Sequence, residues 1–579
     1  MRQANSLRCA PALGGRLSRS IAKRIHQLMK YHLKHKQQHA DPLYANAFRL
    51  RSILDPRVAA SCFRGIFERM ATHWKLLRAV IASSVLCSAT AAAEEPAEQP
   101  NIVMIYTDDQ GYGDFSLQNP DSKIPTPHLD QLAEDGMRFT DAHSSSGVCT
   151  PSRYALLTGR YHWRQGEGIV ASWGGSWFDE GRLTLPAMLR EKGYRTACIG
   201  KWHLGWDWNA IRNEEVNDRN HPDAHDWSKP VPGGPLDHGF DYYFGDDVPN
   251  FPPYTWMEDD RILEPPTVPF TPIPAPTDEC EGGERGEGHD CRPGPMVDGW
   301  RLDAVMPKLT EKTIEWIGQQ SEDQPFFLYW SWTSPHTPVV PIEEFQGSTE
   351  AGPYGDFMHQ SDAHLGEVLQ ALADNGFADD TLVIFSSDNG PESIAYPRIQ
   401  NHGHYSMGPL RGLKRDVWEG GHRVPFVVRW PGVVEANTVS DELVSQIDIM
   451  ATLASVVNYE LPDNAAEDSH DILPLLRGES DQSGRETLVH RTWQTPWGIR
   501  HGDWIYINAP TGAVQNEPDW RGYAPNPHDD WLNNIGDDLG QRENLVSEEP
   551  KKAAELRTLL RDIRESKHTA PRLTRTEED

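Results

Sequence analysis

Long apolar runs and cysteines are both scarce in this sequence. No stretch of about eighteen or more apolar residues occurs, which excludes a protein built from several membrane-spanning helices. Seven cysteines in 579 residues are too few for a disulfide-based scaffold. The sequence does contain 20 Trp, 17 Tyr and 17 Phe, enough to build a substantial core. This profile is typical of a large globular protein with about two to four domains by length.

Basic residues are scarce in most of the chain. The formal net charge is −30, but residues 1–69 hold 14 Lys and Arg against 3 Asp and Glu, whereas residues 94–579 hold 39 against 82. Such an acidic surface repels nucleic acid and does not steer polyanions in general. We therefore predict no nucleic-acid partner. An anionic substrate would need a local cluster of positive groups.

Residues 70–93 have the organisation of a secretory signal peptide. Lys75 and Arg78 form a charged start, Ala79–Leu86 is a short apolar run, and Ala91–Ala93 is a small-residue cleavage site. We expect the protein to be secreted or periplasmic, without a stable membrane span. A buried amphipathic helix is the alternative interpretation of this segment.

The position of this segment indicates that Met70 is the true start of the protein. Residues 1–69 would then be a basic extension that is not part of the mature protein. Lipid attachment at Cys87 is a second, weaker alternative. Export also makes a disulfide plausible between Cys280 and Cys291, which flank an acidic, glycine-rich loop.

Short, continuous apolar runs alternate with helix-like patterns in the rest of the chain. Four runs end abruptly in polar residues, as expected of strands buried on both faces: Ile102–Tyr106, Thr196–Ile199, Phe326–Trp332 and Leu382–Phe385. Helix-like patterns lie between them at His128–Ala133, Leu185–Lys192, Ala304–Gln319 and Asp362–Ala373. The alternation predicts an α/β fold with a large, doubly wound mixed sheet flanked by helices.

We place the catalytic domain at residues 97–461 and a smaller α+β domain at 462–579. The smaller domain should contain an antiparallel sheet and end in the amphipathic helix Lys551–Glu565. Residues 206–300 are rich in Trp, Pro and Gly, which indicates a long insertion over the site. Tryptophans in it, such as Trp206, Trp208 and Trp227, could contact a substrate, although packing within the loop is the simpler role.

The polar clusters that follow the four strands predict one site. In doubly wound sheets, ligands bind beyond the carboxyl ends of the strands. Asp108 and Asp388 can therefore meet although 280 residues separate them in the sequence. Asp108, Asp109, Asp388 and Asn389 together offer carboxylate and amide oxygens, the ligands that Ca²⁺ prefers. A zinc site would call for His or Cys in this set. Asp114 is interpreted as structural.

The segment Cys149–Arg160 reads CTPSRYALLTGR and carries the most information. Thr150 can cap a helix whose first turn contains Pro151. Cys149 would then lie at a helix N-terminus, where free backbone N–H groups favour an anion. Arg153, one turn along, can offer planar donors to an oxyanion.

This motif resembles the signature of the type I sulfatases of the alkaline phosphatase superfamily, in the arylsulfatase A and N-acetylgalactosamine-6-sulfatase branch. The resemblance runs from Asn101 to Trp430 and includes a tail at Leu539–Leu545. It implies an alkaline-phosphatase-like fold and hydrolysis of sulfate monoesters. It also implies that a formylglycine-generating (sulfatase-maturating) enzyme oxidises Cys149 to formylglycine, with an unmodified thiol as the alternative.

The resemblance also assigns the other site residues. Asp108, Asp109, Asp388 and Asn389 become ligands of one Ca²⁺ per chain, together with a hydroxyl derived from Cys149. The cationic and proton-transferring groups have separate roles: Arg153 stabilises the nucleophile and metal, Lys201 contacts sulfate, His203 holds the nucleophile's hydroxyl, and His336 and Lys414 bind sulfate and assist the leaving oxygen. Burial beside Ca²⁺ is expected to lower the pKa of His336 or Lys414.

Substrate choice is the least determined feature of the sequence. The motif order and the stretch Asp237–Gly245 resemble those of the arylsulfatase A and N-acetylgalactosamine-6-sulfatase branch. The Trp-rich insertion favours exo-acting hydrolysis of a sulfated carbohydrate, because aromatic faces suit sugar rings, with aryl sulfates as the alternative substrates. His404, just before the Lys414 loop, is a further candidate for substrate contact. A phosphomonoesterase or phosphodiesterase of the same superfamily is a rival enzyme class. An unmodified protein that only binds sulfated glycans is the non-enzymatic alternative.

Overall fold

A ten-stranded mixed sheet forms the centre of the protein. The computed structural model describes residues 99–271, 291–493, 496–514 and 517–571, which all belong to one compact unit, Glu95–Asp579. The predicted extension 1–69, the predicted signal peptide 70–93 and Cys280 lie outside the described residues. The Cys280–Cys291 pairing therefore stays a prediction.

The described strands, numbered in chain order, are β1 (Asn101–Asp108), β2 (Met137–Phe139), β3 (Ala142–His143), β4 (Arg195–Lys201), β5 (Tyr242–Asp247), β6 (Met257–Glu258), β7 (Arg261–Ile262), β8 (Val268–Phe270), β9 (Gly294–Met296), β10 (Phe326–Pro335), β11 (Thr381–Ser387), β12 (Phe426–Arg429), β13 (Thr438–Ser440), β14 (Val444–Ser445), β15 (Thr487–Arg491), β16 (Trp497–His501), β17 (Trp504–Ile507) and β18 (Trp531–Asn534). The described α-helices are α1 (Pro127–Glu134), α2 (Cys149–Thr158), α3 (Leu185–Glu191), α4 (Val305–Ile317), α5 (Gly352–Asp374), α6 (Ala395–His402), α7 (Glu419–His422), α8 (Ile449–Val456), α9 (Leu473–Leu476) and α10 (Pro550–Glu565).

Five parallel strands occupy the middle of the large sheet, in the order β11-β1-β10-β4-β5. Met104 of β1 lies opposite Tyr329 on one side and Ile384 on the other. The flanking strands β12 and β6 run antiparallel to their neighbours β11 and β5. The four apolar runs identified in the sequence are thus adjacent strands of one sheet.

Helices cover both faces of this sheet, and β1 shows why. All eight of its residues are buried. Ile102 and Met104 point into one apolar core with Leu156 of α2, whereas Val103 and Ile105 point into a second core on the opposite face. The second core contains residues of α1, α4 and α5. A strand buried on both faces needs a continuous apolar run, so the doubly wound fold is confirmed.

The segment 206–300 differs from its sequence interpretation. It supplies three strands of the large sheet, β5 to β7, rather than only an insertion over the site. Trp206 and Trp208 are buried in the core, so packing is their role. The apolar run of β5 is only four residues long and is followed by Asp246 and Asp247, which made the strand hard to recognise among so many Trp, Pro and Gly residues.

The C-terminal part forms a separate four-stranded antiparallel sheet, β15-β16-β17-β18. Leu556 and Leu560 of α10 pack with Ile499 and Tyr506 of that sheet, as the amphipathic pattern predicted. A boundary between residues 461 and 462 stays a prediction. Among the described helices, none is long and apolar enough to cross a membrane.

Asp246, at the carboxyl end of β5, predicts a pH-dependent loss of stability. Burial raises the pKa of its carboxyl to about 7. A carboxyl whose pKa is raised by folding stabilises the fold at low pH and loses that contribution as pH rises. Between about pH 4 and pH 7 the cost should be about 1 kcal/mol per pH unit. Asp246→Asn removes this cost, so its advantage over the wild type in free energy of unfolding should grow with pH.

Urea denaturation at several pH values between 5 and 8 measures this difference. A variant whose stability relative to the wild type does not change with pH would contradict the assignment.

Candidate active site

Two adjacent strand ends bring four oxygen-bearing side chains together. β1 and β11 are parallel neighbours, with Thr107 opposite Ser387. Asp108 ends β1, and the other three residues follow directly after the two strands. All four side chains, those of Asp108, Asp109, Asp388 and Asn389, are buried. The structure therefore assembles the predicted metal-ligand set at the carboxyl edge of the sheet.

The backbone around these residues is held tightly. The N–H of Asp109 donates to Asp388 Oδ1 at 3.2 Å. Asp109 has φ +67°, a left-handed conformation that is uncommon for a residue other than glycine. In this turn the side chain of Asp109 contacts Asn389, whose Nδ2 donates to Asp109 Oδ1 at 2.7 Å, and its carboxylate also lies within 4.8 Å of that of Asp108.

Each of the three carboxylates has its own cation. Lys201 Nζ lies 2.5 Å from Asp108 Oδ2. Lys414 Nζ lies 2.7 Å from Asp109 Oδ1. The Arg153 guanidinium donates to Asp388 Oδ2 from Nη2 at 2.8 Å and from Nε at 3.1 Å. Because all six groups are buried, these pairings offset the large cost of taking three carboxylates out of water.

Arg153 is positioned by α2 and by residues of the adjacent strands β1 and β10. Its Nη1 donates to Ser331 Oγ of β10, and its guanidinium lies 5.4 Å from the centre of the Tyr106 ring. Arg153 comes one turn after Cys149 in the same helix, and Cys149 lies close enough to Asp108 and Lys414 to act on the pKa of each. Because α2 carries both Cys149 and Arg153, this one helix brings the two residues to the carboxylates together.

Burial and the neighbouring charges shift the carboxyl pKa values in different directions. Burial raises the pKa of Asp388 to about 6, with a further increase from Asp108. Burial likewise raises the pKa of Asp108, against the effect of Lys201. For Asp109, burial alone would raise the pKa, but Lys414 and His336 outweigh it and the pKa falls below its usual range.

Two buried oxygens at this site have no hydrogen-bond partner: Asp108 Oδ1 and Asn389 Oδ1. Asn389 Nδ2 donates to two acceptors, Asp109 Oδ1 and the carbonyl of Gly390 at 2.8 Å, which leaves the amide oxygen as the available acceptor. Buried acceptors without a donor are costly. Hard oxygen donors in this arrangement fit a cation such as Ca²⁺.

His336 lies beside the carboxylates, so the strand ends do supply a histidine near the oxygen ligands. Its Nε2 is 3.8 Å from Asp109 Oδ2, and Asp108, Asp109 and His336 form a group close enough to share a metal ion. Its Nδ1 is 2.5 Å from the carbonyl oxygen of Thr337, which can only accept, so Nδ1 donates and Nε2 faces the site without a hydrogen in the neutral ring.

The two candidate proton donors behave differently. Burial, together with Lys414, holds the pKa of His336 well below its usual value. For Lys414, burial would lower the pKa, but Asp109 outweighs it and the pKa is raised. The expected lowering of the pKa therefore applies to His336 and not to Lys414. Lys414 is the group that carries a proton at neutral pH.

Cys149 is the first residue of α2 and is buried. The N-cap is Val148, so the prediction that Thr150 caps the helix is wrong. The Thr150 hydroxyl is used elsewhere: it donates to the carbonyl of His203 at 2.9 Å and accepts from the N–H of Val170 at 3.2 Å. The first bond attaches the start of α2 to the loop after β4, and the second attaches it to the segment between α2 and α3.

His203 offers a free acceptor nitrogen in that loop. Its Nε2 lies 2.9 Å from the carbonyl of Val170, so Nε2 carries the hydrogen. Its Nδ1 is buried and has no partner. Burial and then Lys201 lower the pKa of His203 to about 3, which keeps the ring neutral and Nδ1 ready to accept a hydrogen bond.

Asp247 supports His203 and was missed in the sequence. Its Oδ1 accepts from the N–H of His203 at 3.1 Å. Asp247 ends β5, so the rule that drew attention to Asp108 could have found it. Ser331, the partner of Arg153, lies within β10 and gave no such signal.

His404 and Asp114 form a buried network next to the metal-ligand set. His404 Nε2 lies 2.7 Å from Asp114 Oδ1, and His404 Nδ1 accepts from the N–H of Lys123 at 3.2 Å. Asp114 Oδ2 accepts from the N–H of Gly111 at 2.8 Å, which confirms its structural role. A substrate contact by His404 would have to break one of its two hydrogen bonds, and this role stays a prediction.

Comparison with known proteins gives a consistent result. The family model described as Sulfatase matches residues 100–459. An N-acetylgalactosamine-6-O-sulfatase from Bacteroides thetaiotaomicron is 33% identical over 500 residues, which cover 81% of this chain and 94% of that protein. Human arylsulfatase A is 35% identical over 419 residues, which cover 70% of this chain and 72% of that protein.

Solved structures show the same fold. A sulfatase structure from work on the metabolism of multiple glycosaminoglycans by Bacteroides thetaiotaomicron has a TM-score of 0.67 and 30% identity, and the match covers 81% of this chain and all of that one. A Pseudoalteromonas sp. sulfatase shares the fold at 23% identity with a TM-score of 0.59, over 84% of this chain and 95% of the other. Together with the site geometry, these matches show that the chain belongs to the sulfatase family and is a sulfuric ester hydrolase.

Proposed function

We propose that this protein hydrolyses sulfate monoesters of a carbohydrate, with formylglycine at position 149 and one Ca²⁺ at the carboxylate cluster. The observation that carries the proposal is the assembly of Cys149, three carboxylates and three cations at one buried edge of the sheet. The free acceptors of Asp108, Asn389 and His203 add to it. The oxygens of Asp108 and Asn389 are suited to a cation, and the nitrogen of His203 is suited to a hydroxyl donor. A formylglycine hydrate supplies such a hydroxyl, whereas an unmodified thiol is only a weak donor.

Formylglycine would arise from Cys149 by an oxidation for which a separate maturation enzyme supplies the oxidant. Its hydrate carries two hydroxyls on one carbon, so that one can attack sulfur and the other can lose its proton as the carbonyl reforms and sulfate leaves. Serine or a thiol lacks this internal route of release. The neutral Nδ1 of His203 is available to accept the second hydroxyl's proton.

The chain's own cations bind and orient the sulfuryl group. Lys201 is paired with Asp108, and Lys414 is paired with Asp109. Arg153, anchored by Ser331, holds Asp388 in place. Lys414 carries a proton at neutral pH and can donate it to the oxygen that leaves as the alcohol.

A bound divalent cation would give the site a net positive charge. Asp108, Asp109 and Asp388 contribute three negative charges, and Lys201, Lys414 and Arg153 contribute three positive ones. Without a metal this group is neutral, in a chain with a net charge of −30. Ca²⁺ held by the four predicted ligands would make the site positive and would polarise the sulfuryl oxygens.

A sulfated sugar is the substrate class that the relatives favour. The N-acetylgalactosamine-6-O-sulfatase match extends over 94% of that protein, whereas the arylsulfatase A match covers 72% of its length. The buried positions of Trp206 and Trp208 remove them as sugar-stacking residues, so the substrate proposal depends on the relatives and the site rather than on these tryptophans. Activity on aryl sulfates is the second candidate, and a secreted or periplasmic location suits either substrate.

Calcium should bind at the carboxylate cluster and be required for turnover. Removal of divalent ions with a chelator should abolish activity, and Ca²⁺ should restore it. Asp388→Asn should raise the apparent Kd for Ca²⁺ about tenfold or more, because it removes a charged ligand. Affinity should also fall as pH drops through about 6, since protonation of Asp388 competes with the metal.

Isothermal titration calorimetry measures these affinities. Asp246→Asn is the matched control, because it alters a buried carboxyl at the end of β5, which is separated from β1 by two strands, and its Kd should equal that of the wild type. An equal affinity in Asp388→Asn and the wild type would contradict the ligand assignment.

Defined substrates decide the carbohydrate assignment. We expect kcat/KM for 6-O-sulfated N-acetylgalactosamine, alone or at the end of a disaccharide, to exceed that for a small aryl sulfate by about tenfold or more, because hydroxyl-specific contacts discriminate strongly. Sulfate release is the readout, with Cys149→Ala as the inactive control. Turnover of aryl sulfates alone would overturn the sugar assignment and leave the sulfatase assignment intact.

A further inference from the structure

Three histidines from distant parts of the chain meet in a second buried cluster. His143 lies on β3, His422 ends α7 and His490 lies on β15. All three are buried, and one ring nitrogen from each lies within 4.8 Å of the others. The rings of His422 and His490 are stacked, with centroids 3.4 Å apart and an interplanar angle of 13°. None of them belongs to the site described above.

Hydrogen bonds determine which nitrogens of His143 and His422 carry hydrogen. His143 Nε2 lies 2.9 Å from Asp141 Oδ1, and His422 Nε2 lies 3.2 Å from the carbonyl of Val417. Carboxylate and carbonyl oxygens only accept, so both Nε2 atoms donate. In the neutral rings, each Nδ1 is then left with a lone pair.

These two Nδ1 atoms face each other at 3.0 Å. Two lone pairs in this position repel each other unless a cation lies between them. The arrangement matches metal-binding histidines, whose second ring nitrogen usually donates to a carboxylate or a backbone carbonyl. Two zinc ligands in a tetrahedral site, each about 2.0–2.1 Å from the metal, lie about 3.3 Å apart.

His490 supplies the observation that separates a metal from a shared proton. It is 4% exposed, and neither of its ring nitrogens has a hydrogen-bond partner. A proton shared between His143 and His422 would satisfy those two rings and leave His490 without a partner. A metal ion would engage all three rings, after a rotation of His490 out of its stacked position.

The charged groups around the cluster have no net charge. Asp141 is paired with Arg500, at 2.6 Å between Oδ2 and Nη2, and Glu419 is paired with Arg423 at 3.2 Å. Two carboxylates and two guanidiniums cancel, so neutral histidines sit in a balanced shell. Imidazole ligands favour Zn²⁺ over Ca²⁺, which prefers oxygen.

We propose that His143, His422 and His490 bind Zn²⁺ in a structural site separate from the active site. The ion would join three elements. β3 lies six residues before Cys149, and α7 contains Gly421, whose carbonyl accepts from the N–H of Gly390 beside Asn389. β15 belongs to the C-terminal sheet. Zinc would therefore fix two segments of the active site to that sheet: the one that leads from β3 to Cys149 and the one after β11 that contains Asn389.

Zinc content tests the proposal. The protein is produced with added ZnSO₄, passed through a mild chelator in the presence of Ca²⁺, and analysed by inductively coupled plasma mass spectrometry. The wild type should retain about one zinc per chain. His143→Ala and His490→Ala should each lower the retained zinc about tenfold or more. His225→Ala is the matched control, since His225 is also buried with both ring nitrogens unpartnered, and it should keep the zinc.

A second measurement covers the case in which the variants do not fold. Co²⁺ added to the metal-free wild type should give the visible d–d absorption of cobalt bound by nitrogen ligands, and Zn²⁺ should displace it. A wild type that retains no zinc and gives no cobalt spectrum would overturn the proposal, as would full zinc retention in the folded His143→Ala and His490→Ala variants.

Discussion

The active site depends on three buried carboxylates, each held against a cation from a different element. Transfer of a charged group from water to a protein interior costs several kcal/mol or more, and a well-placed opposite charge offsets that cost. Lys201 is 93 residues from Asp108, Arg153 is 235 residues from Asp388, and Lys414 is 305 residues from Asp109. The pairs can form only when the central parallel strands are in register. The geometry of the site therefore depends on the correct folding of the sheet.

This pairing also bears on how an acidic protein attracts an anion. The three ion pairs cancel, so in the proposed function the bound divalent cation would give the site its positive charge. The acceptors that remain without a donor, on Asp108 and Asn389, would supply oxygen ligands to that ion. The free Nδ1 of His203 lies on the loop that the Thr150 hydroxyl fixes to the start of α2. Sulfate recognition, in this account, is local and does not draw on the overall charge.

The C-terminal sheet also contacts the segments that lead into the site. Arg500 of β16 pairs with Asp141, which lies just before β3 and the segment that leads to Cys149. The hydroxyl of Thr492 accepts from the N–H of Gly147 at 3.0 Å. The histidine cluster adds a third connection, through His490. The smaller sheet thus contributes to the position of Cys149 although it supplies none of the predicted catalytic residues.

Much of this arrangement could be predicted because strand ends leave local signals. An apolar run that stops at Asp108 or Asp388 marks a buried strand, and the geometry of parallel sheets places such ends together. The same rule could have found Asp247, but the short run of β5 concealed it. Partners such as Ser331 and the three clustered histidines depend on which buried faces meet, and residue spacing carries no such information. The residue type of Thr150 suits a helix cap, whereas the folded chain uses its hydroxyl to bond the loop after β4.

The identity of residue 149 tests the central claim most directly. The tryptic peptide Phe139–Arg153 contains Cys149, and its mass can be measured in protein produced together with a maturation enzyme. The account predicts a mass about 18 Da below that of the cysteine form, the difference between a thiol and an aldehyde side chain. The peptide Thr196–Lys201, which contains the buried Cys198, should keep the mass of its unmodified sequence. An unmodified cysteine at position 149 in fully active protein would contradict the account.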